Sequence, residues 1–364
     1  MSLRLQGWKA KLAQRRPRAS EQPLRGELYS LDQLVRYAKI LAESHEVFIG
    51  KGSNRLLARL DQNEKNLKSF NRETQAVDQG RRVTHAAEWL LDNYFLIEEQ
   101  IQMARRHLPK SYSQELPRLY AGVSARLPRV YDIVLELISH VDGQIDVENL
   151  GVFVSSYQSV TPLKLGELWA IPIMLRLGLI ENLHRVTTRL RVARHDRDLA
   201  DQWMNRLQEM AEKNPSDLVI VMAEMAKSEP SLSSSFVAEF SQRLSRQSSV
   251  MNWVRNWLEQ KLAGQGATIE QLVHQESQLQ AADQVSVSHS ILSLRFLSEM
   301  NWKDFVESMS HVEHTLRKDP SRVYGVMDFA TRDRYRHVVE TIAGISEFEE
   351  SQVAEMAIGL AAAH

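Results

Sequence analysis

Apolar residues in this chain recur every three or four positions and rarely every second one. Val130, Ile133, Val134, Leu137, Ile138 and Val141 form one such stripe, and Leu31, Leu34, Val35, Ala38 and Leu41 form another. A period near 3.6 puts these side chains on one face of a helix, whereas a half-buried strand needs strict alternation. Val250, Trp253, Val254, Trp257, Leu258 and Leu262 repeat the pattern with two indoles on the face. Punctuation falls at Pro109, Pro117, Pro128, Pro215, Pro230, Gly264, Gly266 and Pro320. These positions divide the chain into about a dozen helices of ordinary length. Thr268 with Gln271, and Ser346 with Glu349, have the spacing of capping boxes. The expected fold is all-α, an irregular multi-helix bundle or an array of helical pairs. No repeat of about 30–45 residues marks a regular solenoid.

Composition narrows the function. With 43% hydrophobic and 25% charged residues and a formal net charge of -1, the chain carries no overall bias toward nucleic acid. It has no cysteine, which excludes disulfides, thiolate metal sites and a cysteine nucleophile, and fits a reducing compartment. The most apolar stretch, 165–183, contains Glu167, Arg176 and Glu181, so it reads as a buried helix and not as a membrane span. No secretory signal is visible, and a soluble protein exposed to the cytoplasm is expected. Residues 1–22 form a basic arm in which Leu5, Trp8 and Leu12 share one side of a short helix, suited to an anionic membrane surface. The plainer reading is a frayed terminus. A helical subdomain is expected at 23–160 and a second at 161–364, divided where Pro162 favours a helix start, unless the bundle is continuous.

Few constellations could carry chemistry. Pro172 lies inside the apolar run and removes an amide, so the helix is expected to kink or restart there. Glu167 and Trp169 flank this break, with Tyr157 and Gln158 upstream. An aromatic plate with a carboxylate and an amide suits carbohydrate. The plainer reading makes Trp169 a core residue and Glu167 a cap or the partner of an arginine. Glu181 and Arg185 are four apart and read as a solvated helical pair. Asp328 is placed to cap a helix bearing Arg332, Arg334 and Arg336 around Tyr335, a cluster suited to docking on acidic groups. Asp333 and Glu340 are the local alternatives for neutralising it. His311 and His314 have no third ligand at a recognisable spacing, so no metal is expected. Phosphate-cradling loops and the nucleophile elbow are also missing from the sequence.

Four stretches carry a more specific signal: AAEWLLDNYFLIEEQI at 86–101, TPLKLGELWAIPIMLRLGLIENLHR at 161–185, SHSILSLRFLSEMNWKDFVESMSHVE at 288–313 and DFATRDRYRH at 328–337. Together they make residues 23–360 resemble the N-terminal region of bacterial cyclic β-1,2-glucan synthases. The resemblance implies a large inner-membrane enzyme in which this region precedes the part that polymerises UDP-glucose and a phosphorylase-like part. UDP-glucose and a divalent metal are then expected elsewhere in that enzyme, with no cofactor and no catalytic residue in this segment. The implied role is a scaffold or regulatory docking region on the cytoplasmic face of the membrane. Its partners would be other domains of the same polypeptide, β-1,2-glucan, or the membrane surface through the basic arm. Two other readings are a β-glucan-binding module around Trp169 and a free-standing helical hydrolase.

Overall fold

A computed structural model describes residues 22–50, 55–76, 83–108, 115–246 and 251–363. The basic arm with Leu5, Trp8 and Leu12, together with Pro109 and Val250, lies outside the described residues. Within them the fold is all-α: fifteen α-helices and one two-stranded sheet. None of these helices is long and apolar enough to cross a membrane. The chain divides into two compact units, each assembled from separate stretches of the sequence.

One unit comprises Leu24–Asn66, Asn93–Asn182 and His289–His364. It opens with α1 (Leu31–Ser44), started by Ser30, whose side chain accepts the Gln33 amide while Gln33 reaches back to the Ser30 amide. This capping box satisfies two helix-end donors at once. Leu34, Ala38 and Leu41 are buried as their period requires, and Leu31 sits at the exposed edge of the stripe. α1 packs on α6 (Val147–Gln158), and α5 (Arg129–His140) buries Val130, Ile133, Val134, Leu137 and Ile138. The sheet pairs β1 (Val47–Phe48) with β2 (Arg118–Leu119), antiparallel; two-residue strands are too short to leave an alternation in the sequence.

Of the kink or restart expected at Pro172, the restart does not occur. α7 runs without interruption over Leu165–Lys213, and the Pro172 carbonyl accepts a bond from Arg176 Nη1 at 3.1 Å. Nearly every side chain from Leu165 to Asn182 is buried, which explains a helix that is apolar on most sides. The helix also starts later than Pro162: the Lys164 amide donates to Glu167 Oε2 at 3.0 Å, closing the first turn from within. Gly178 lets α5 approach closely, since a Cβ there would lie 2.6 Å from Ile138 Cδ1.

The C-terminal part of this unit holds α12 (Trp302–Met309), α13 (His311–Leu316), α14 (Phe329–Gly344) and α15 (Glu350–Ala363). Val312, Leu316, Tyr324, Val339, Val353 and Ala354 form a core shared by α13, α14 and α15. The cap of α15 lies one turn beyond the expected Ser346 and Glu349 box: the Glu349 amide donates to Gln352 Oε1 at 2.9 Å.

The other unit contains Leu67–Asp92 and Leu183–Ser288. Its core joins the latter half of α7 to α8 (Leu218–Ser228), α9 (Ser234–Leu244), α10 (Asn252–Ala263) and the start of α11 (Ile269–Glu299). Met204, Leu207, Phe236, Phe240, Val254, Leu258 and Leu262 fill it. The indole face expected on α10 is narrower than its apolar composition suggests, because Trp253 is 53% exposed. Thr268 and Gln271 form their capping box as expected.

Candidate docking site

α14 begins where Asp328 accepts the Thr331 amide at 2.8 Å, which ends the orphaned first turn. Arg332 and Arg336 follow one turn apart and point into their own unit. Arg336 is wholly buried: Nη1 donates to Glu313 Oε2 at 2.5 Å and to Glu307 Oε1 at 2.8 Å, and Nη2 to Asp333 Oδ1 at 3.0 Å. Arg332 forks onto Glu307, with Nη2 2.8 Å from Oε2 and Nε 3.1 Å from Oε1, and also donates to the Met327 carbonyl. Arg317 Nε adds a bond to Glu313 Oε1 at 2.8 Å, and the Tyr324 hydroxyl another to Glu313 Oε2 at 2.7 Å.

Three guanidiniums thus face Glu307, Glu313 and Asp333, and the formal charges cancel. Burial would lower the Arg336 pKa, but Glu307, Glu313 and Asp333 outweigh it and raise it. Burial would raise Glu307, yet Arg332 and Arg336 bring it below its ordinary value. Phe329 lies under Arg336, 4.9 Å from the guanidinium carbon to the ring centre. The cluster expected to meet another domain is therefore half consumed within its own unit: Asp333 does neutralise, but the decisive carboxylates come from α12 and α13. What α14 presents outward is Arg334, which forms no ion pair with a described residue, and Tyr335, 48% exposed.

The four residues read as a sugar site are placed differently. Glu167 is fully buried in a fork from Arg129, with Nε to Oε1 at 2.9 Å and Nη2 to Oε2 at 2.5 Å. Arg129 also donates to the Pro162 carbonyl at 3.2 Å and stacks on Tyr157 at 5.9 Å. The Tyr157 hydroxyl is 2.9 Å from His45 Nδ1, and His45 Nε2 is 3.2 Å from Asp132 Oδ2. This line resembles a nucleophile relay, but Tyr157 is sealed from solvent and burial pushes its phenol up to about 12, away from activation. Gln158 donates to the Met309 carbonyl at 3.0 Å and accepts the Leu163 amide at 3.3 Å. Trp169 alone keeps partial exposure, with its indole edge-on to Phe329 at 6.3 Å. The carboxylate and amide a sugar would need are engaged inside the fold.

Glu181, read as surface decoration, is 3% exposed and accepts from Arg59 Nε at 2.8 Å, Arg59 Nη2 at 2.5 Å and Asn63 Nδ2 at 2.8 Å. Glu350 caps the start of α7 from α15, accepting the Leu165 amide at 2.8 Å. Burial pushes its carboxyl up to about 7, opposed by that amide and reinforced by Glu340. No sequence spacing pointed to Arg129, Glu307, Glu313 or Glu350 as partners. The described residues contain no group of three or more His, Asp or Glu able to hold a metal ion.

These features define an all-helical protein braced by buried ion pairs, with an exposed helix face at its C-terminal end. Its sequence is 30% identical over 344 residues to the cyclic beta-(1,2)-glucan synthase NdvB of Rhizobium meliloti (strain 1021). That match covers 92% of this chain and 12% of the relative, so the chain spans about an eighth of the enzyme it resembles. It is similar to one region of a glucan synthase. No protein-family model matches the chain.

Proposed function

We propose that this chain serves as a helical scaffold and docking region in cyclic β-1,2-glucan synthesis and is not itself catalytic. The observation that carries this reading is the match along 92% of the chain to a region amounting to 12% of a glucan synthase. The buried ion pairs support it, since Arg129, Arg336, Glu167 and Glu313 fix helices against one another and offer no reactive group to solvent. Transfer from UDP-glucose, with its divalent metal, belongs to the remainder of such an enzyme, at the cytoplasmic face of the inner membrane. Docking uses the outward side of α14, where Arg334 and Tyr335 are exposed, while Asp328, Arg332 and Arg336 hold that helix in place.

The test has two arms. The purified chain, given UDP-glucose with magnesium or manganese, makes no glucan and releases no reducing ends from β-glucans. Deletion of 24–363 from its gene removes cyclic glucan from the cells. Glucan made by the purified chain alone would overturn the non-catalytic assignment, and undiminished glucan after the deletion would overturn the role.

A further inference from the structure

α14 carries two apolar sides. Val339 and Ala343 belong to the core it shares with α13 and α15, but Tyr335, Val338, Ile342 and Ile345 are 48%, 56%, 44% and 85% exposed. Their spacing of three, four and three residues is that of one helix face, and it reads the same in both directions. Two copies of such a stripe laid antiparallel bring Tyr335 opposite Ile345 and Val338 opposite Ile342, so the same residues meet themselves. The charges beside the stripe differ by end. Exposed Arg334 lies toward its start and exposed Glu347 follows its last residue, while His337 is held 3.6 Å from Asp333 of its own helix. Antiparallel pairing therefore sets the basic end of one copy against the acidic end of the other, whereas parallel pairing sets like against like. Phe348, 49% exposed, extends the apolar surface beyond Ile345. An apolar stripe of this kind on a helix calls for cover.

We propose that this face of α14 is an isologous interface, and that its occupant is the α14 of a second copy of this chain. A self-complementary patch with opposite charges at its two ends is what a two-fold axis requires. The inference rests on the docking role given to α14 above and names the partner for that surface. Arg334 finds its carboxylate across the axis, and Tyr335 is covered by the partner's apolar end.

Sedimentation equilibrium of the full chain tests it. The expected species at micromolar concentration has about twice the 41.8 kDa mass of one chain. V338E with I342E gives the single-chain mass with an unchanged helical circular dichroism spectrum. R334E weakens association by about tenfold, and R334E with E347R restores it. This charge exchange keeps the apolar core of the unit intact, so it decides the matter even if the double glutamate variant fails to fold. A chain that stays at single mass up to about 100 µM, or a dimer indifferent to these substitutions, would overturn the proposal. A monomer whose Arg334 and Tyr335 variants still lose glucan refutes the second copy and leaves the docking role standing. A dimer whose variants keep full glucan supports the interface and refutes the role.

Discussion

Arg129 and Glu167 are almost fully buried, and each is the main charge partner of the other. Removing one partner strands a charge in a medium that cannot solvate it, so Arg129→Met alone should cost about 3–5 kcal/mol in urea unfolding. Pairing it with Glu167→Leu should recover most of that loss, because two apolar groups leave nothing unsatisfied. Equal losses in the single and double variants would show that packing, not charge, dominates the site. Gly178→Ala should cost about 1–3 kcal/mol, since the new methyl meets Ile138 across a close helix approach. At this scale the sequence was readable only locally. Glu167 could be seen as a cap or an ion-pair partner, and it is both. Arg129, 38 residues away, and Arg59, 122 residues from Glu181, follow from the fold and not from any local spacing. A carboxylate on a helix looks alike in sequence whether water or a distant arginine neutralises it.

Helix identity was legible because the 3.6 period is clear in α1 and α5; helix ends were less so. Thr268 caps as its spacing indicates, whereas α15 starts one turn after Ser346, where Gln352 reaches the Glu349 amide. Pro172 does not restart the helix, because the buried neighbours of α7 outweigh one missing amide. Asp328→Ala, which removes the cap of α14, should lower stability by about 1 kcal/mol in thermal or urea unfolding. α15 is also coupled to pH through Glu350, which faces Lys164 and Glu167 at the start of α7 and Glu340 on α14. Its carboxyl binds a proton more tightly folded, at about 7, than at its ordinary 4.5. Its stabilising contribution is therefore complete below about 4.5 and lost as pH rises through about 7. Unfolding free energy should fall across that window by about 3 kcal/mol relative to Glu350→Gln, which cannot ionise. Parallel pH profiles for the two proteins would exclude this coupling.

For the whole molecule, the sequence is similar to one region of a glucan synthase and the described fold is all-helical. The wording of 161–185, which carried much of the resemblance, belongs mainly to a buried helix. The cluster at 328–337 was readable as a concentration of charge. Its division into an inner half, Arg332 and Arg336, and an outer half, Arg334 and Tyr335, depends on where Glu307 and Glu313 arrive from α12 and α13. The two halves should behave differently. Arg336→Met should destabilise the chain by about 1–3 kcal/mol, since Glu313 loses one buried ion pair while Arg317 and Tyr324 still bond it. Arg334→Glu with Tyr335→Ala should cost about 0.5–1.5 kcal/mol, chiefly the edge-on contact of Tyr335 with Tyr324. Cyclic glucan output of cells carrying that surface pair is the most direct measurement. The expected result is a large loss of glucan with the chain present at its normal abundance. Full glucan output at normal abundance would contradict docking through α14.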